Sequence, residues 1–113
     1  MSAKTGLVLG LSGKMTGKQR RFLRSLAHAL SPIVNIGHAG ATGPVVTQTD
    51  GALTQHELVK VKILQSFPGG VADVAQTIAE GTNSALVQVL GRVLVFYRPH
   101  PIDPKIVLPA GRD

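Results

Sequence analysis

Ile33-Val34-Asn35-Ile36-Gly37-His38-Ala39-Gly40-Ala41-Thr42-Gly43-Pro44-Val45-Val46 is the stretch on which the fold turns. Residues 33–36 are a short apolar run that reads as a strand, and Pro44 suits the first position of a helix, where a missing N–H costs nothing. Gly37, Gly40 and Gly43 fall at every third position between them. Glycine carries no Cβ, so such a loop lets the backbone approach another molecule closely. A strand, a glycine loop and a helix N-terminus together make a site for an anion, usually a phosphate, because free N–H groups and the positive end of the helix dipole point into the loop. The same glycines also suit a plain tight turn, and the rest of the chain must decide between the two.

The chain has 113 residues and a net charge of +6. One domain of ordinary size is expected. The placement of charge is more telling than its sum. Residues 1–49 carry six Lys or Arg and no acid, whereas residues 50–113 carry six of each sign. The whole excess lies in the half that holds the glycine loop, which points to a polyanionic partner. There is no cysteine, so disulfides and thiolate metal sites are excluded. The apolar run Gly6–Leu11 is far shorter than the ~20 residues that span a membrane, and neither its flanks nor a cleavage site suggest a signal peptide. A cytoplasmic protein with no membrane partner is expected.

Working outward, Thr16 is a candidate N-cap for a helix running to about Ala29. Phe22, Leu23, Leu26, Ala27 and Leu30 recur at helical spacing and are expected to form its buried stripe. Arg20, Arg24 and His28, four apart, line up on another side beside Arg21, with no acid among them to form intrahelical pairs. Ser31-Pro32 ends this helix. After the glycine loop, Val45, Val46, Thr49 and Leu53 mark one apolar face of a helix from Pro44 to about Gln55. His56–Leu64 reads as a strand in which Val59, Val61 and Ile63 alternate with Lys60 and Lys62, so two ammonium groups share one face. Val71, Val74, Ala75, Ile78 and Ala79 mark a third amphipathic helix closed near Gly81. Ala85–Leu90 and Val93–Tyr97 read as a hairpin turning at Gly91-Arg92.

The expected fold is therefore α/β, in the order α-β-α-β-α-β-β, with helices packed on a mixed sheet of about four strands. Residues 1–15 read as a flexible basic arm, 16–98 as the domain, and 99–113, which hold four of the seven prolines, as an extended tail whose Ile106, Val107 and Leu108 can dock back.

Catalytic chemistry is sparse. The six acids are isolated, no histidines have metal-ligand spacing, and Ser25 with His28 lacks an orienting acid. The loop is G-x-x-G-x-x-G rather than G-x-G-x-x-G. Glu57 lies twenty residues beyond Gly37, but it opens the next strand instead of ending it, as a ribose-binding acid would. No Gly-Lys-Ser/Thr follows, so this is no P-loop. Phe96 and Tyr97 are adjacent and must face opposite ways, which argues against an aromatic base-stacking platform.

Four blocks in order carry a resemblance: Leu26-Ala27-His28-Ala29-Leu30-Ser31-Pro32, Gly37-His38-Ala39-Gly40, His56-Glu57-Leu58-Val59-Lys60-Val61-Lys62-Ile63, and Val89-Leu90-Gly91-Arg92-Val93-Leu94-Val95-Phe96-Tyr97-Arg98. Across about residues 16–109 the chain resembles the YhbY family, the bacterial stand-alone CRM (chloroplast RNA splicing and ribosome maturation) domains. The resemblance implies a compact fold similar to the C-terminal domain of translation initiation factor 3. It also implies RNA binding, with ribosomal RNA or pre-ribosomal large-subunit particles as partner. It carries a KH-like GxxG loop onto Gly37, His38, Ala39 and Gly40. Family members commonly hold a polar or basic residue inside that loop, and here the pair is His38-Ala39.

The expectation is a non-enzymatic RNA-binding protein of ribosome biogenesis, acting as a monomer and without a cofactor. Its candidate contacts are the Gly37–Gly40 loop and Lys18, Arg20, Arg21, Arg24, Lys60, Lys62, Arg92 and Arg98. A carboxylate at Gly40 is expected to abolish binding with the fold intact. The alternative is a protein-interaction module in which the loop is only a turn and the cations are solvated.

Overall fold

The computed structural model describes residues 15–110, so the arm read at 1–15 lies, but for Met15, outside the described residues. The elements are α1 (Gly17–His28), β1 (Val34–Ile36), α2 (Gly43–His56), β2 (Leu58–Ile63), α3 (Val71–Thr82), β3 (Ala85–Leu90) and β4 (Val93–Tyr97), in the expected order. The four strands form one sheet in the order β1-β2-β4-β3. β1 runs parallel to β2, with Val34 opposite Val61 and Ile36 opposite Ile63. β4 is antiparallel to both β2 and β3, and a bulge between Leu86 and Gln88 shifts the register of the β3–β4 hairpin.

Both faces of the sheet are covered, which explains the sequence alternation. On one face, Val34, Ile36, Val59, Val61, Ile63, Leu94 and Phe96 pack against Leu53 of α2 and Val74, Ala75 and Ile78 of α3. On the other, Leu58, Ala85, Val87, Val95 and Tyr97 pack against Met15, Leu23 and Ala27, with Phe22, Ile106 and Leu108 at the margin. Phe96 and Tyr97 thus divide between the two cores as their adjacency requires, and neither is exposed.

Local signals set the helix ends. Thr16 caps α1 through a reciprocal box: its Oγ1 accepts from the Gln19 N–H at 3.0 Å, and Gln19 Oε1 accepts from the Thr16 N–H at 3.2 Å. Such a cap is worth about 1 kcal/mol. Two expectations need correction. The buried stripe of α1 is narrower than the spacing suggests. Leu23 and Ala27 are buried, but Leu26 and Leu30 are 38% and 41% exposed: Leu26 borders an open groove on one flank of α1, and Leu30 lies beyond the helix end at His28. α3 closes near Gly81 as expected, at Thr82, but its cap is Asn83 in the left-handed conformation, φ 51°, and not the glycine. Gly81 is instead a packing residue: a Cβ there would meet Val46 Cγ1 at 2.7 Å, so it lets α3 approach α2. The strand read at 56–64 begins only at Leu58, since His56 still belongs to α2 and Glu57 turns the chain with φ 65°.

Glu57 also organises the end of the chain. Its carboxylate is buried and accepts three backbone N–H groups: His100 on Oε2 at 2.6 Å, and Lys105 and Ile106 on Oε1 at 2.9 Å each. Burial pushes the carboxyl pKa up, but the three N–H bonds and the His100 charge outweigh it and hold the group below the usual value. The C-terminal segment is thereby held against the sheet, placing Ile106 and Leu108 over the second core, while Val107 points to solvent.

Candidate nucleic-acid interface

The glycine loop lies where three segments meet at one end of the sheet. Leu64 N–H donates to Ile36 O at 2.8 Å, and Ile63 N–H donates to Arg92 O at 2.7 Å. The Gly37–Gly40 turn, residues 64–70 and the hairpin tip Gly91-Arg92 are therefore neighbours. Gly40 N–H donates to Gly37 O at 3.0 Å, so Gly37-His38-Ala39-Gly40 is a closed four-residue turn with His38 and Ala39 exposed at its crest. Thr42 N–H then donates to Gly40 O at 2.9 Å and leads into α2.

Of the three glycines only Gly40 needs to be glycine. Its φ is +78°, and a Cβ would meet Phe67 Cε1 at 2.8 Å. Gly37 has nothing nearer than Ser66 Oγ at 4.0 Å, and Gly43 faces open space as the first residue of α2, which puts Pro44 second. An aspartate at Gly40 therefore strains the turn itself, contrary to the expectation of an intact fold; exposed Ala39 is the position at which a charge can be added cleanly.

The N-terminus of α2 has no side-chain cap bond and no acid in its first turn. That of α3 is also without a side-chain cap bond, but it carries Asp73 in its first turn. The positive end of α2 is thus left uncompensated beside an exposed turn, which is the electrostatic requirement for holding an anion.

Several of the cations are engaged by the fold. Arg20 Nη1 donates to Leu86 O and Val87 O at 2.9 and 3.0 Å, clasping the bulge of β3. Lys60 Nζ donates to Leu30 O at 2.9 Å. Arg92 donates to Ile63 O, Leu64 O and Phe67 O, tying the hairpin tip to the segment after β2. Arg98 reaches Asp50 Oδ1 and Thr82 O at 2.6 Å each, and Asp50 O and Thr54 Oγ1 at 3.0 Å, so it fastens α2, α3 and β4 together. Lys18, Arg21, Arg24 and Lys62 are exposed.

Lys62 lies at the end of β2 that reaches the turn. Lys62 stands on the face that α1 packs on, next to Ile63 at the end of β2 and opposite Val93 of β4. Helical geometry, about 100° per residue, places Gln19, Phe22 and Leu26 on one flank of α1. That flank meets the C-terminal segment, where Gln19 Nε2 donates to Pro109 O at 3.0 Å. Arg20, Arg24 and His28 fall on the opposite flank, the one from which Arg20 reaches β3. Lys18 and Arg21 lie on the outer side of α1. Alternation in β2 and the spacing in α1 made Lys62 and Arg24 legible; nothing local signalled that Arg92 and Arg98 would turn onto backbone carbonyls. Among the described residues, no group of three or more His, Asp or Glu is placed to hold a metal.

The fold and site together define a small four-stranded α/β domain with an exposed glycine turn beside an uncapped helix end. The chain is a member of the CRS1/YhbY (CRM) domain family, whose model matches residues 15–98. It is 41% identical over 95 residues to the "Probable RNA-binding protein YqeI" of Bacillus subtilis, covering 84% of this chain and 99% of that one. It is 39% identical to a Haemophilus influenzae "RNA-binding protein", covering 84% and 95%. The solution structure of SAV1595 from Staphylococcus aureus superposes with a TM-score of 0.71 at 43% identity, covering 84% and 99%.

Proposed function

We propose that this domain binds structured RNA through its phosphate backbone, with the Gly37–Gly40 turn and the N-terminus of α2 holding a phosphate by backbone N–H groups. The observation that carries this reading is the exposed turn set against a helix end with neither side-chain cap bond nor acid. Lys62 supplies a cation beside it, with Lys18, Arg21 and Arg24 on α1. Arg20, Lys60, Arg92 and Arg98 act chiefly by holding the surface in shape. Both aromatic residues of β4 are buried, which favours grip on backbone and shape over stacking on splayed bases. The names of the relatives agree with RNA as partner. Following the family resemblance, the RNA is ribosomal, the process is large-subunit assembly in the cytoplasm, and the domain works as a non-catalytic monomer. No helix among the described residues is long and apolar enough to cross a membrane.

The test is affinity for a structured fragment of large-subunit ribosomal RNA, measured against salt. Five phosphate contacts give a slope of log K against log salt of about −3.5 to −4.5. Lys62→Ala is expected to make the slope shallower by just under one, and Ala39→Asp to abolish binding by a protein that still folds. Folded protein that binds no RNA at low salt overturns the reading.

One observation favours a second reading, a protein-interaction module. Leu26, Leu30 and Ile33 remain 38–48% exposed and border an apolar groove of about 420 Å³ with His56 and Lys60 on its rim. That reading predicts that Leu26→Ser impairs function while RNA affinity is unchanged.

A further inference from the structure

Resting on the RNA reading above, we propose that His38 is a proton-linked phosphate contact, so that RNA binding strengthens as pH falls. His38 is exposed at the crest of the turn, and its Nδ1 lies 3.3 Å from Ser66 O. A carbonyl oxygen only accepts, so Nδ1 carries a hydrogen. In the neutral ring that leaves Nε2 as a bare acceptor on the far side, facing away from the bond. A lone pair there repels phosphate oxygens. Protonation turns Nε2 into a charged donor, and the bond from Nδ1 to Ser66 O survives because Nδ1 is a donor in both states. The ring therefore changes from repelling a phosphate to binding one without moving.

The surroundings set the direction of the linkage. Neither the turn nor residues 64–70 carry another titratable group, and the first turn of α2 carries none. Arg92 donates to Leu64 O and Phe67 O, on either side of Ser66. The N-terminus of α2 adds a positive field, and Asp73 in the first turn of α3 is the one acid in these segments. Arg92, Lys62 and the helix end supply positive charge around the turn, and a phosphate held there favours a protonated ring. Binding RNA and binding a proton at Nε2 then promote each other, as linkage requires.

The experiment is anisotropy with a rhodamine-labelled hairpin from large-subunit ribosomal RNA, between pH 5.5 and 8 and at several salt concentrations. Affinity is expected to be about tenfold weaker at pH 8 than at pH 5.5, as a charge-assisted bond is lost. The salt slope at pH 5.5 should be steeper by about 0.7 to 0.9, the signature of one added phosphate contact. His38→Ala should remove both effects, and His38→Lys should hold the high affinity across the range. His56→Ala, remote from the turn, should leave both in place. Salt-dependent binding that is flat with pH, or a pH effect that survives His38→Ala, overturns the proposal and leaves the RNA reading standing. No binding at any pH overturns both.

Discussion

Gly40 sets its bare Cα against the ring of Phe67, and a Cβ there would come within 2.8 Å of Phe67 Cε1. The same ring would meet a Cβ on Gly69 at 2.5 Å, so Phe67 is clasped between the glycine turn and the approach to α3. This clasp holds the turn in place, because Phe67 itself packs on the core formed by β1, β2, α2 and α3. Gly40→Ala is expected to cost about 1–2 kcal/mol from the left-handed backbone alone, plus the steric part. Gly43→Ala should stay within about 0.5 kcal/mol of the parent. Urea unfolding of the two variants gives the comparison. A Phe67→Leu background should recover the steric part of the Gly40→Ala loss but not the backbone part.

Arg98 reads from sequence as a candidate RNA contact, and the structure surrounds it with acceptors. Its side chain is 13% exposed against 51% for its partner Asp50. Arg98→Ala should destabilise the domain by about 2–3 kcal/mol, since Thr82 O loses a charged donor at a partly buried site. Asp50→Ala should cost no more than about 1 kcal/mol, because the arginine keeps Thr82 O, Thr54 Oγ1 and the carbonyl of residue 50. Thermal melts separate these outcomes. RNA affinity of the folded Asp50→Ala protein should be unchanged.

Glu57 binds the C-terminal segment only as a carboxylate. Its folded pKa lies below the ordinary value of 4.5, so the stability it adds is present above that value and is lost as pH falls through the lower, folded one. Glu57→Gln should cost about 1–3 kcal/mol at neutral pH, because an amide N–H would face a backbone donor and leave it without an acceptor. Denaturant melts from pH 7 to 3 should show the difference between parent and variant shrinking on the acid side. Hydrogen exchange at Lys105 and Ile106 should quicken in the variant first.

Tyr97 is the sole tyrosine of the chain, which makes it a clean optical probe. Burial, and secondarily the charge of Glu57, push its phenol from 10.0 up to about 12. A raised acid is neutral in the folded state, so its contribution is complete below pH 10 and is lost as pH rises towards 12. Tyrosinate absorbance should titrate near pH 10 in denaturant and about two units higher in the native protein. In Glu57→Gln the native value should fall.

Much of this architecture is legible along the chain. The alternation of Val59, Val61 and Ile63 with Lys60 and Lys62, the Gly91-Arg92 hairpin, and the Thr16 cap each depend on residues within a few positions of one another, so local physics suffices to read them. The α1 stripe misleads because periodicity reports which residues could be buried, whereas the open groove beside α1 leaves Leu26 and Leu30 exposed. Gly81 misleads for a related reason. A glycine near a helix end looks like a cap, but the contact that requires it is with Val46, thirty-five positions earlier in the chain.

The candidate site divides in the same way. The sequence by itself determined the order of elements, the G-x-x-G turn between strand and helix, the absence of acid before Asp50, and the family to which the chain belongs. Those features are carried by residue type and by spacing over short distances. Only the tertiary structure decided which glycine is indispensable, which cations reach solvent, and that Glu57 anchors a segment more than forty residues beyond it. A side chain's availability depends on the carbonyls and rings that folding brings around it. Arg24 and Arg98 are alike in chemistry, and only their surroundings make one a surface charge and the other a clamp.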